Sequence, residues 1–208
     1  MENIVFDMGN VLLRYDPAAM LSRYTQAPDD IGLCIKTVFE SEEWRLCDRG
    51  DGYRSELLPC RIAMLPEHLR GICEDLLYRD DLELSFMPEI AGMYDLISAL
   101  KKNGYGIYLL SNVGLCFPQF SKKVRIFALF DGLFASSEYH MLKPDKEIFD
   151  KFLEVFSLKA EDCIFIDDTP ANCAGSRLSG MRAVCFNGGT ESVSVLKERL
   201  AAEGIVTE

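Results

Sequence analysis

The chain has 208 residues, 49% of them hydrophobic and 26% charged, the proportions of a globular protein with one core domain and a modest insert. Its 33 acidic and 22 basic side chains give a formal net charge of −11, which disfavours phosphate backbones and anionic lipid surfaces, so neither nucleic acid nor membrane is an expected partner. No long apolar window suggests a membrane span or a secretory signal. Eight scattered cysteines without a C-x-x-C pair and only two histidines point away from a disulfide framework or a zinc site, and toward reduced thiols in the cytoplasm.

Ile4-Val5-Phe6 is short and apolar and meets Asp7 and Gly9, which predicts a buried strand breaking into a loop. From Asp16-Pro17 to about Ser85, apolar residues recur at helical spacing, with breaks at Asp29-Asp30, at the "DRGDG" segment from Asp48 to Gly52, and at Pro66. This predicts a helical insert. "PEIAGMYDLISALKKNG" reads as an amphipathic helix closed by Gly104, and "GIYLLSN" as a buried strand ending in Ser111-Asn112. "GLFAS" predicts a short strand and "DKEIFDKFLEVFS" a helix just after Lys143-Pro144. "CIFIDD" is a strand ending in two aspartates, followed by a helix over "PANCAGSRLSG", a strand over "RAVCF" and a last helix over "SVSVLKERLAAEG". Solid apolar strands alternating with helices predict an α/β fold with a doubly wound parallel, Rossmann-like sheet. The expected core is 1–15 plus 86–208, with a helical cap over 16–85 inserted at the carboxyl end of the sheet, where such folds bind ligands.

The polar residues that end strands are then the ones with chemistry. Asp7, Ser111-Asn112 and Asp167-Asp168 should emerge at one edge, joined by Lys143 from a loop. Carboxylates there suit a hard divalent ion such as magnesium. A hydroxyl and an ammonium suit phosphate oxygens, and Asp7 suits in-line attack on phosphorus. Each residue alone has an ordinary explanation as a turn former, helix cap or first-turn proline neighbour. The four features in this order carry more weight than any one.

In that order, "VFDMGNVL", "LLSN", "KPDKEIF" and "FIDDTPAN" closely resemble the haloacid dehalogenase-like hydrolase superfamily, over nearly the whole chain. "FDMGNVL" and "EWRLCDRGDGYRSEL" further resemble the branch containing sugar-phosphate phosphatases, including those acting on glucose 1-phosphate. The resemblance implies a magnesium-dependent phosphatase working through an aspartyl-phosphate on a small phosphorylated metabolite. It implies Asp7 as nucleophile and metal ligand, Ser111 and Asn112 at the phosphoryl group, and Lys143 as the neutralising cation. Asp168 would be the chief acidic metal ligand, supported by Asp167 and Asn172. The metal-free dehalogenase branch lacks the acidic pair that stands here as Asp167-Asp168. A phosphomutase or other phosphotransferase, or a weakly catalytic phosphate-binding regulatory protein, are the alternative readings. A monomer or homodimer is expected.

One position departs from the superfamily. Most of its phosphatases carry a second aspartate two residues after the nucleophile as general acid and base, and here that residue is Gly9. Glycine can still offer a backbone carbonyl to the metal, but no proton. A missing general acid costs about 10²–10⁴-fold, less for an acidic leaving group such as an anomeric hydroxyl. Asp16 is one stand-in, in competition with a capping role before Pro17, and Asn10 could orient water or make the turn. Trp44, Arg45, Asp48 and Arg49 flank the glycine-bearing break where the cap could reach the site. Trp44 is weighed as a sugar-stacking face against cap core, and Arg49 as a phosphate binder against a surface ion pair.

Overall fold

The computed structural model describes residues 2–78 and 87–208. Five parallel strands form one sheet in the order β3-β2-β1-β4-β5: β1 (Asn3–Phe6), β2 (Gly106–Ser111), β3 (Gly132–Ala135), β4 (Cys163–Asp167) and β5 (Arg182–Cys185). The order reverses at β1, which lies between β2 and β4, so the crevice at its carboxyl end is the switch point of a doubly wound sheet.

Both faces of the sheet are covered, which explains the unbroken apolar strands. Ile4 and Phe6 join one buried cluster with Ile107, Leu109, Ile164 and Ile166. Val5, Leu110 and Phe165 point the other way, into a second cluster with Phe149 and Phe152. Register then fixes the site. Phe6 stands opposite Leu109 and Ile166, and the Asp7 N–H donates to the Ile166 carbonyl at 2.8 Å. Asp7 therefore leaves the sheet level with Asp167 and one residue short of Ser111.

Between β1 and β2 lies the helical cap. It comprises α1 (Pro17–Leu21), α2 (Pro28–Cys34) running into a π-helical turn at Ile35–Phe39, α3 (Glu42–Arg49), α4 (Arg54–Leu57), α5 (Pro59–Ile62) and α6 (Glu67–Tyr78). Ser41 caps α3 by accepting from the Trp44 N–H at 3.1 Å, and Gly50 closes it in the left-handed region at φ 87°. The expected return from cap to core near 85/86 lies outside the described residues. The core helices are α7 (Met93–Lys102), α8 (Phe117–Ser121), α9 (Ser136–Tyr139), α10 (Lys146–Phe156), α11 (Pro170–Leu178) and α12 (Val193–Ala202).

Two elements differ from the sequence expectation. The helix expected from Pro88 begins at Met93, because the chain before it pairs with the segment after β1: Leu13 bridges Glu89, and the Ile90 N–H donates to the Leu12 carbonyl at 2.9 Å. The helical run over 53–65 is split into α4 and α5, with Pro59 opening the second piece, since proline lacks the N–H that a continuous helix needs. Among the described residues no helix is long and apolar enough to cross a membrane.

Candidate active site

The centre of the site is a buried ammonium between two carboxylates. Lys143 Nζ lies 2.7 Å from Asp7 Oδ1 and 2.7 Å from Asp167 Oδ2. Lys143 reaches them because its own backbone is clamped by one amide: its N–H donates to Asn112 Oδ1 at 2.9 Å, and Asn112 Nδ2 donates to its carbonyl at 3.1 Å. Asn112 thus locks the loop after β2 to the loop before α10, and Ser111, the last residue of β2, is buried beside it.

Asp167 is fully enclosed and fully used. Besides Lys143 it accepts from the Thr169 N–H at 2.8 Å, and Asn172 Nδ2 lies 3.0 Å from each of its oxygens. Asp168 instead faces the cavity. Its Oδ2 accepts from Asn10 Nδ2 at 3.3 Å and its Oδ1 from Thr169 Oγ1 at 3.2 Å. Asn10 holds this position from a left-handed backbone at φ 53°, a conformation asparagine tolerates better than most residues. Its Oδ1 also accepts from the Tyr15 N–H at 3.0 Å. This bridge was not foreseen, since nothing in local spacing pairs residue 10 with residue 168.

Oxygens of Asp7, Asp167 and Asp168 lie within 4.8 Å of one another. Three carboxylates against one ammonium leave surplus negative charge in a buried place. Burial pushes the Asp7 carboxyl up to about 6, opposed by Lys143 and reinforced by Asp167. Burial, then the Asp167 charge, also raises Asp168. Burial acts against the Lys143 ammonium, but Asp7 and Asp167 outweigh it and hold its pKa above the ordinary value. An all-oxygen donor set with excess negative charge fits a hard divalent cation.

A cavity of about 280 Å³ opens over this cluster. Asp7, Gly9, Ser111, Asn112, Lys143, Asp168 and Asn172 line its floor, and Trp44 and Asp48 of the cap face it from above. The Trp44 ring stacks on Phe39 with centroids 5.0 Å apart and carries the Arg54 guanidinium 4.7 Å from its centre. Its π-surface is therefore engaged by protein groups, as the cap-core reading expects. Arg49 is outside the cavity, in an ion pair with Asp51. Arg54, which sequence reasoning passed over, lines the cavity instead. Asp16 also lies outside it, accepting from the Ala19 N–H at 2.9 Å as the cap of α1. The two histidines are set against Asp30 and Asp51, away from the cluster.

A carboxylate cluster at the switch point of a doubly wound sheet, under a helical cap, defines a class of hydrolase. The chain belongs to the haloacid dehalogenase-like hydrolase family, whose model matches residues 1–180. It is 29% identical over 184 residues to a sesquiterpene phosphatase of Aspergillus oryzae, covering 85% of each chain. Its fold resembles a family enzyme from Bacteroides thetaiotaomicron in a magnesium complex, with a TM-score of 0.68, 22% identity and coverage of 95% and 98% of the two chains. It also resembles a dehalogenase, with a TM-score of 0.71, 18% identity and 97% of each chain covered.

Proposed function

We propose that this hydrolase is a magnesium-dependent phosphatase that cleaves a small phosphorylated metabolite through an aspartyl-phosphate on Asp7. The observation that carries this reading is the 2.7 Å bridge from Lys143 to Asp7 at the floor of a cavity that also exposes Ser111, Asn112 and Asp168. Asp7 attacks phosphorus through its cavity-facing oxygen while Lys143 holds the other. Ser111 and Asn112 bind the phosphoryl oxygens, and Lys143 neutralises charge on the acyl phosphate. Asp167 keeps Lys143 charged and in place, and Asn172 anchors Asp167. Magnesium held by Asp7, Asp168 and the Gly9 carbonyl would supply electrostatic stabilisation of the phosphoryl oxygens.

For the leaving group, a sugar phosphate is the first reading, on the resemblance of the first motif and the cap segment and on the polar groups Asp48 and Arg54 in the upper wall. The ester of a more apolar alcohol is the second. It is supported by Tyr15, Met87, Val113, Cys116 and Phe120 in the same wall and by the similarity to a phosphatase of sesquiterpenes. A panel of phosphate monoesters, assayed with and without magnesium, tests both. Turnover that needs magnesium and vanishes in Asp7→Asn is expected, and turnover retained in Asp7→Asn would overturn the mechanism.

A further inference from the structure

Two thiols hold the main chain of the Asp167-Asp168 turn. Cys173 Sγ donates to the Asp167 carbonyl and Cys185 Sγ to the Asp168 carbonyl, each at 3.7 Å. Cys185 ends β5 directly opposite Asp167 at the end of β4, and Cys173 stands in the first turn of α11, next to Asn172. The sulfurs thus face consecutive carbonyls, and Cys173 lies within hydrogen-bonding reach of Cys185. We propose that Cys173 and Cys185 are an oxidisable dithiol, a modification site that closes into a disulfide and displaces the acidic turn of the active site.

Access sets this pair apart from the other neighbouring thiols. Cys34 and Cys73 are also within hydrogen-bonding reach of each other, but both are wholly buried in the cap, where an oxidant in solution does not reach them. Cys185 is half-buried and Cys173 is 1% exposed. The pair therefore joins one sulfur that solvent reaches to one enclosed partner. Oxidation follows exposure, and a second thiol beside the first converts a sulfenic acid into a disulfide before oxidation goes further.

The oxidant is a peroxide. With hydrogen peroxide, the Cys185 sulfur attacks one oxygen, the O–O bond breaks, and a sulfenic acid and water form. The Cys173 sulfur then attacks the sulfenic sulfur. The S–S bond forms, the S–O bond breaks, and hydroxide leaves with the Cys173 proton as water. Two thiols have lost two electrons and two protons, and one peroxide has become two waters. A disulfide holds its sulfurs about 2.0 Å apart, so its closure draws the start of α11 and the end of β5 together. Both S–H donors to the turn are lost. Asn172, whose amide lies 3.0 Å from each Asp167 oxygen, moves with its neighbour Cys173. The consequence for magnesium rests on the reading of the site given above.

The test treats reduced wild type, Cys173→Ser and Cys185→Ser with hydrogen peroxide, then alkylates, digests and maps each by mass spectrometry. Calorimetry measures magnesium affinity before peroxide, after it, and after dithiothreitol. Wild type should yield a linked Cys173–Cys185 peptide pair, lighter by two hydrogens than the separate peptides. Its magnesium affinity should fall about 10–100-fold, and dithiothreitol should reverse both changes. Each serine variant keeps a hydroxyl donor for its carbonyl and should bind magnesium as reduced wild type does, before and after peroxide. Oxidation of Cys185 without a link to Cys173 would overturn the proposal, as would a link that leaves magnesium affinity unchanged. An equal loss of affinity in the serine variants would assign the effect to other thiols and overturn it too. The link is read without magnesium or substrate. A reduced wild type that binds no magnesium would therefore overturn the metal reading of the site, and with it the consequence drawn here.

Discussion

Replacing Asp7, the proposed nucleophile, should make the metal-free protein more stable. Asp7 is buried, and its carboxyl is pushed from 3.8 to about 6 by burial first, with Lys143 opposing and Asp167 adding to the rise. A folded-state pKa above the unfolded value means the folded chain holds the extra proton between those limits. The group's contribution to stability is therefore fully present below about pH 4 and is lost as pH rises through about 6. A shift of about two units corresponds to roughly 3 kcal/mol of instability at neutral pH. Asp7→Asn removes the charge at nearly constant shape, and Lys143 keeps Asp167 at 2.7 Å. In chelator at pH 7.5 the variant should melt higher, by roughly 5–10 °C for a chain of this size. At pH 5 the gap should narrow. Differential scanning fluorimetry at both pH values measures this, and an Asp7→Asn midpoint at or below that of wild type at pH 7.5 would refute the electrostatic reasoning.

Three further outcomes follow from the same geometry. Lys143→Ala strands the buried carboxylates of Asp7 and Asp167 and should cost about 3–5 kcal/mol in urea unfolding, besides abolishing turnover; a loss under 1 kcal/mol would show that the bridge is not structural. Asn10→Gly suits the left-handed backbone but drops the 3.3 Å bond to Asp168, so magnesium affinity by calorimetry should fall about 10–100-fold with little change in metal-free stability. Gly50→Ala places a methyl against the Ser137 carbonyl at a φ of 87° and should destabilise the seam between cap and core by about 1–3 kcal/mol, read as earlier proteolysis within the cap.

Much of the sheet was legible because each strand is a solid apolar run ending in a polar residue. That is how Asp7, Ser111 and Asp167 could be placed at one edge before their register was known. The pairing of Phe6 with both Leu109 and Ile166 is a tertiary fact, and with it the meeting of Lys143 with two carboxylates at once. The cap was less legible. The glycine-bearing break was visible, but not the direction in which Gly50 turns the chain, and that turn takes Arg49 out to Asp51 while Arg54 enters the cavity. Pro59 was read inside a helical pattern whose apolar spacing continued past it, yet the missing N–H divides the helix. Asn10 looked like a turn residue and is one. Its second role, holding Asp168, depends on a partner 158 positions away.

The central claim is that Asp7 carries the phosphoryl group. Rapid acid quench of enzyme turning over a phosphate monoester with magnesium, followed by proteolysis and mass spectrometry, tests it directly. The account predicts an acid-stable, hydroxylamine-sensitive phosphoryl group on Asp7. Product formation with the phosphoryl group on another residue would contradict it.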